Sequence, residues 1–243
     1  MHPWTLRALF VALAPLLLAQ GRYTRAVTPR LPEPAGPRQG RVGSGPALRL
    51  LIAGDSAAAG VGVDEQSAAL SGHLVAGLAP RFDVQWALIA QTGYSTRDLI
   101  QRLEQEPAQP FDVAVLSLGV NDVTGLVRTH IWLDQQRQLA RLLRGRLGVR
   151  HLLLTPVPPM HAFSALPQPL RALLGQRARR LNSALEQALH EWSEVPRCQL
   201  LAFDPPTDPD ALASDGFHPG AATYRQWGLK AAQRVWSVFA VGD

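Results

Sequence analysis

The sequence predicts an α/β fold, a parallel sheet covered on both faces by helices. Five short apolar runs, "LRLLIAG" (48–54), "FDVQWALIA" (82–90), "FDVAVLSLG" (111–119), "RHLLLTP" (150–156) and "RCQLLAF" (197–203), are bounded by turn residues in the manner of buried strands. Stretches of helical pattern alternate with them, over 65–79, 96–106, 129–147, 169–194 and 220–240. Strand–helix alternation of this kind packs helices on both faces of a parallel sheet. Composition agrees: 243 residues with 47% hydrophobic and 18% charged side chains are enough for one domain with a full core.

The organisation ahead of that domain is written in charge and in proline. Seven of the 24 basic residues (Arg7, Arg22, Arg25, Arg30, Arg38, Arg41, Arg49) but only one of the 19 acidic ones, Glu33, precede Leu50; the remainder holds 17 basic and 18 acidic residues. The folded part is therefore nearly neutral, which argues against a nucleic-acid partner, since such a domain carries its basic patch on the fold itself. Residues 8–19, "ALFVALAPLLLA", form an uncharged run of twelve, short of the roughly 20 residues that span a bilayer. Beside the plain reading of a frayed apolar tail, two readings of residues 1–27 follow. One is a signal peptide with Arg7 in its positive n-region, and hence a periplasmic or secreted protein. The other is a retained anchor whose basic flank contacts an anionic membrane face. Residues 28–46, "TPRLPEPAGPRQGRVGSGP", have no apolar periodicity and are expected to be an extended linker, with the domain at 47–243. The one cysteine, Cys198, lies in an apolar run and is expected to be a buried thiol.

In a parallel α/β sheet the site lies outside the carboxyl ends of the strands, so the residues after each run carry the chemistry. "AGDSAAAGVG" follows the first run and exposes Ser56 at a strand-to-helix turn. Gly54, Gly60 and Gly62 are spaced somewhat like a phosphate-binding loop, but neither G-x-G-x-x-G nor Gly-Lys-Ser/Thr is present, so a nucleotide loop is the weaker reading. Alone, Ser56 reads equally as a helix cap. "QTGYSTRDL" follows the second run; Ser95 and Asp98 have capping-box spacing, and Gly93 lets a backbone N–H approach a developing negative charge. "LGVNDVTG" follows the third and offers the Asn121 amide as a neutral donor, with Asp122 to fix the loop; an Asx turn is the plainer account. After the fifth comes "SDGFHPG", where Asp215 can accept from one ring nitrogen of His218 and leave the other free to take the Ser56 proton. Each stretch is weak alone. A nucleophile, two oxyanion donors and an oriented base at the strand ends of one sheet form a set.

Taken together, "GDSAAAG", "TGYST", "LGVND" and "DGFHP" resemble the four sequence blocks of the SGNH (GDSL) hydrolases, in family order, over about residues 47–240. The resemblance implies a three-layer α/β/α sandwich with a five-stranded parallel sheet in flavodoxin-like order. It implies Ser56 as nucleophile, Asp215 and His218 as the rest of a triad, and an oxyanion hole from the Ser56 and Gly93 N–H groups and the Asn121 side chain. It further implies hydrolysis of carboxylic esters with no cofactor and no metal. The three alanines after GDS depart from the bulkier residue many members carry there.

The function expected is a serine esterase acting on lysophospholipid or medium-chain acyl esters, a leaning that rests on the leader and on the proline-rich loop "PVPPMHAFSALPQP" (156–169). That loop is a candidate lid or acyl-pocket wall through Met160, Phe163 and Leu166, against the plainer reading of a surface loop. The rivals are a carbohydrate O-deacetylase of the same fold, a catalytically silent, membrane-tethered binding protein and, third, a dinucleotide-binding protein. His161 is expected at the surface; His73, His130, His151 and His190 as structural or solvated; Trp86, Trp192 and Trp227 as packing residues. No oligomeric state is legible.

Overall fold

The computed structural model describes residues 3–192, 197–201 and 211–240. Six strands form one sheet in the order β1-β3-β2-β4-β5-β6. They are β1 (Gln39–Val42), β2 (Ala47–Gly54), β3 (Asp83–Ala90), β4 (Val113–Ser117), β5 (His151–Thr155) and β6 (Arg197–Leu200). The last five pair in parallel and coincide with the five expected runs, except that residues 202–203 of the final run lie outside the described residues. The helices are α1 (Pro3–Val27), α2 (Ser56–Ala59), α3 (Leu70–Leu78), α4 (Thr96–Gln105), α5 (Val120–Thr124), α6 (Thr129–Leu147), α7 (Leu170–Leu189) and α8 (Ala221–Ala240). The stretch expected as one helix over 65–79 divides into a short 3-10 turn at 66–68 and α3. The helix expected over 169–194 ends at Leu189, and residues 193–194 lie outside the described residues.

Alternation along the central strands sorts the core into two layers. Leu51 and Ala53 of β2, Ala114 and Leu116 of β4, and Leu152 and Leu154 of β5 pack under α4, α6 and α7. Leu50, Ile52, Val113, Val115 and Leu153, on the intervening positions, pack under α2, α3 and α8. Successive side chains of a strand point to opposite faces, so strands covered on both sides must be apolar throughout. The expected three-layer α/β/α class therefore holds. Trp227 is buried in the second layer, stacked on Tyr224 at 6.1 Å, while Trp86 and Trp192 pack half-buried at the margins. Cys198 is half-buried against the first layer, and burial pushes its thiol up to about 12.

Six strands replace the five expected. The additional one, β1, comes from the stretch expected to be a linker, and it runs antiparallel to β3 with Gln39 opposite Ala87 and Val42 opposite Val84. All four of its residues are exposed, so there is no apolar alternation to read, and its Pro- and Gly-rich flanks look like coil. Backbone pairing at the sheet edge and an Arg41–Asp83 ion pair hold it instead. The folded unit thus starts ahead of Ala47.

The leader is helical through Val27, with Pro15 inside the helix. Among the described residues no helix is long and apolar enough to cross a membrane. The carboxyl half of α1 docks on the domain: Leu17 packs against the first core layer and Thr24 is buried. The Gln20 amide both donates to the Gln168 carbonyl (2.6 Å) and accepts from the Leu170 N–H (3.1 Å). Leu170 opens α7, whose N-cap residue, Pro169, supplies no side-chain cap.

At the amino ends of the parallel strands, Asp112 fastens the starts of three of them. Its carboxylate accepts from the Arg49 N–H (2.9 Å), from Arg49 Nε (3.0 Å) and Nη2 (2.8 Å), and from Arg150 Nη2 (2.8 Å). Burial alone would raise the Asp112 carboxyl, but these bonds outweigh it and hold it down at about 2. A folded-state value below that of the unfolded chain contributes stability above about pH 4 that is lost as pH falls towards 2. Asp112→Asn should therefore cost about 2 kcal/mol in urea unfolding at neutral pH, and the gap from wild type should close between pH 4 and pH 2; a gap independent of pH would remove the ionised carboxylate from this role.

Candidate active site

Levelled in this way, β2, β4 and β5 end together, with Gly54 opposite Ser117 and Ser117 opposite Thr155. The loops that follow are the ones that sequence reasoning singled out. Ser56 is the first residue of α2, where a backbone N–H has no intrahelical partner. Asp55 caps that helix, accepting from the Ala57 N–H at 3.1 Å. Its carboxyl is buried behind the serine; desolvation dominates and pushes it up to about 7, with Asp122 adding to the rise and the Ala57 N–H and His218 opposing it.

Asp215 and His218 sit in a tight loop closed by the Leu212–Pro219 bridge, with the Ala213 N–H donating to the His218 carbonyl at 2.8 Å. Asp215 Oδ1 accepts from the Phe217 and His218 N–H groups (2.9 and 3.0 Å), an Asx turn that aims the other oxygen at the ring. Asp215 Oδ2 lies 2.5 Å from His218 Nδ1, and His218 Nε2 lies 2.9 Å from Ser56 Oγ. The three residues expected as a triad are thus joined in one hydrogen-bonded chain across 162 positions of sequence. Burial would raise the Asp215 carboxyl, but the His218 ring and the two N–H groups outweigh it and hold it below the usual carboxylate range.

Two contacts bring the serine and histidine loops together. Gly62 (φ +113°) passes so close to the histidine loop that a Cβ there would meet the Pro219 carbonyl at 2.3 Å, so only glycine permits this approach. The buried Tyr224 hydroxyl donates to the Val61 carbonyl at 2.7 Å.

Two of the candidate oxyanion donors, Gly93 and Asn121, lie on loops that touch. Gly93 (φ +90°) is the third residue of a turn closed by Tyr94 N–H to the Gln91 carbonyl at 3.2 Å, the position of a type II turn that requires positive φ. Nothing lies within 4 Å of where its Cβ would be, so the space above the turn is open. The Asn121 amide donates to the Tyr94 carbonyl at 2.9 Å, which sets the side chain of one candidate donor against the loop of the other. Ser95 and Asp98 form the expected capping box at the start of α4. Asp122 fixes the loop as its position suggested: buried, it accepts from the Thr96 N–H (3.1 Å) and hydroxyl (2.9 Å), and Gln136 donates to that hydroxyl in turn. Desolvation raises the Asp122 carboxyl against those bonds.

The loop 156–169 departs from expectation. Met160, Phe163 and Leu166 are buried in the first core layer rather than presented to a pocket. Phe163 packs on Phe217 (ring centroids 4.8 Å apart) and Phe217 on the His218 ring (5.3 Å), while the Ala165 N–H donates to the Gly216 carbonyl at 3.1 Å. The loop is a buttress behind the histidine; its prolines suggest a surface segment, and its apolar residues gain more by entering the core. His161 is exposed beside Arg179, as expected.

This arrangement can pass a proton from a serine hydroxyl to an imidazole oriented by a carboxylate, beside a turn with N–H donors. The comparisons with known proteins agree in family. The profile of the GDSL-like Lipase/Acylhydrolase family matches residues 52–226. A GDSL-like esterase of Mycobacterium tuberculosis is 30% identical over 230 residues, covering 86% of this chain and 72% of its own. Among solved structures the fold is shared with a lipolytic G-D-S-L family protein of Veillonella parvula (TM-score 0.58, 16% identity, 80% of this chain and 99% of that one). It is shared too with a carbohydrate acetylesterase family member of Sinorhizobium meliloti (TM-score 0.60, 19% identity, 79% and 99%). An acetylxylan esterase of Geobacillus stearothermophilus has the fold as well (TM-score 0.55, 19% identity, 79% and 94%). The chain belongs to the GDSL-like lipase/acylhydrolase family and is an ester hydrolase.

Proposed function

We propose that the protein hydrolyses carboxylic esters through a Ser56–His218–Asp215 triad. The observation that carries this is the unbroken chain from Asp215 Oδ2 through both ring nitrogens to Ser56 Oγ. His218 Nε2 takes the hydroxyl proton as Ser56 Oγ attacks the ester carbonyl. The carbonyl oxygen gains negative charge and is met by the Ser56 and Gly93 N–H groups and the Asn121 amide. As the tetrahedral intermediate collapses, His218 gives its proton to the departing alkoxide, leaving an acyl-enzyme on Ser56. Water, deprotonated by the same nitrogen, releases the acid and restores the serine. Asp215 holds the imidazole in the tautomer that keeps Nε2 free and stabilises the imidazolium.

For the acyl group, the burial of Met160, Phe163 and Leu166 favours a short chain, such as the acetyl of a carbohydrate ester, over the medium-chain or lysophospholipid substrate that an apolar loop would serve. What flanks the site is a rim of three half-buried residues, Tyr94, Val120 and Phe217, next to Gly93, Asn121 and His218.

We also infer that α1 contacts an anionic lipid surface. Leu16, Leu18, Tyr23 and Val27 are exposed on it, with exposed Arg22 and Arg25 among them, a mixture suited to an interfacial helix. An exported protein freed of residues 1–27 is the alternative.

On p-nitrophenyl esters from acetate to palmitate, the full chain should turn over fastest on the shortest acyl groups, and Ser56→Ala should lose at least about a thousandfold of kcat. A maximum at octanoate would restore the medium-chain substrate, and equal inactivity of both folded proteins would end the esterase proposal in favour of a binding role. Asp215→Asn should lower kcat on the order of ten-thousandfold through the wrong tautomer while the fold survives; unchanged turnover would take Asp215 out of the mechanism. The full chain should float with phosphatidylglycerol vesicles at low salt and not with phosphatidylcholine ones, and Arg22→Glu with Arg25→Glu should release it. Absence of flotation would discard the lipid contact.

A further inference from the structure

We propose that Glu33 and Arg38, which lie outside the four sequence blocks and ahead of the first parallel strand, are positioning residues for the oxyanion hole. Glu33 Oε1 accepts from both the Thr92 N–H (2.7 Å) and the Thr92 hydroxyl (2.8 Å). Thr92 is the residue before Gly93, in the second position of the same turn. Glu33 Oε2 pairs with Arg38 Nη1 at 2.9 Å, and Arg38 Nη2 donates to the carbonyl of Ala90, the last residue of β3. The turn is therefore held at both its entry and its second residue by side chains from a segment more than fifty positions upstream.

That segment is itself fixed on the serine side. The Ala35 N–H donates to the Asp64 carbonyl (3.0 Å) and the Gln66 N–H to the Ala35 carbonyl (2.7 Å), while buried Gln66 donates to the Ala59 carbonyl at 2.8 Å. Residues 33–38 thus brace the nucleophile's loop against the turn that carries Gly93, two pieces whose spacing sets the oxyanion geometry. The turn needs such a brace. It is exposed, it has one long internal hydrogen bond of 3.2 Å, and its third residue is a glycine with open space above it. Holding it from Thr92 leaves the Gly93 N–H free to meet the substrate. Arg38 also acts through its charge, because a bare carboxylate beside a developing oxyanion would oppose it and the guanidinium cancels that effect.

This inference rests on the ester-hydrolysis reading, so its test has two readouts: kcat and KM on the best p-nitrophenyl ester, and amide hydrogen exchange over residues 90–96. Glu33→Ala should lower kcat by between about 10- and 100-fold with KM within about twofold, because a displaced donor is missed mainly in the transition state. Exchange at the turn should rise in the same variant. Glu33→Gln, which keeps an acceptor for Thr92, should recover part of the rate, and Thr92→Val should lose less than Glu33→Ala. Arg41→Ala is the control: it frees β1 from Asp83 without touching the turn, and should leave kcat within about twofold of wild type. Unchanged kcat and exchange in Glu33→Ala would overturn the proposal, and so would an equal loss in Arg41→Ala, which would make the segment a general support. If the wild type hydrolyses no ester, that reading fails separately, and the exchange result decides the brace by itself.

Discussion

Three strands fixed in register near their starts end level, and the catalytic geometry depends on that. Asp112 fastens the starts of β2 and β5 to its own strand with four hydrogen bonds from two arginines. From there each chain advances by the fixed rise of a strand. Ser56 and Asn121 consequently emerge at one edge, where the histidine loop reaches over to complete the chain of hydrogen bonds. An ion pair at the foot of a sheet thereby disciplines hydrogen bonds at its head, through strands too well buried on both faces to slip by one residue without turning every side chain over.

At that head, two carboxylates near the same histidine are driven in opposite directions. Asp215, given three hydrogen bonds, stays ionised and orients the ring. Asp55, more deeply enclosed and met only by the Ala57 and Ala58 N–H groups, is pushed up to about 7. Depth and the supply of donors together separate them. The difference suits their places: a charge is useful on the far side of the imidazole and costly directly behind the nucleophile.

Much of this was legible before the structure, and the reasons are physical. Strands buried on both faces must be apolar along their length, so β2 to β6 announced themselves as runs. Ser56, Gly93, Asn121, Asp215 and His218 were legible because they follow those runs in turns that small residues define. What escaped was whatever lacks a period. β1 has all four residues exposed and is held by backbone pairing and one long-range ion pair, neither of which leaves a periodic trace in residue choice. Phe163 sits in a proline-rich stretch that reads as surface, and its burial follows from a long-range fit to Phe217. Glu33 is a lone acid in an arginine-rich segment, and only the folded chain puts it beside Thr92.

The Gln20 amide carries a last consequence. Its oxygen accepts from the first N–H of α7, a cap that Pro169 cannot give, and its nitrogen ties it to the Gln168 carbonyl, yet both bonds come from the segment that an export signal would discard. Shedding the leader is therefore not silent: it would leave the first N–H of α7 to water alone, a change of about 1 kcal/mol by the usual worth of such a contact. It would also bare the patch that Leu17 covers. The carboxyl end of the buttressing loop is anchored at that point, so processing at one terminus would be felt in the support behind the histidine.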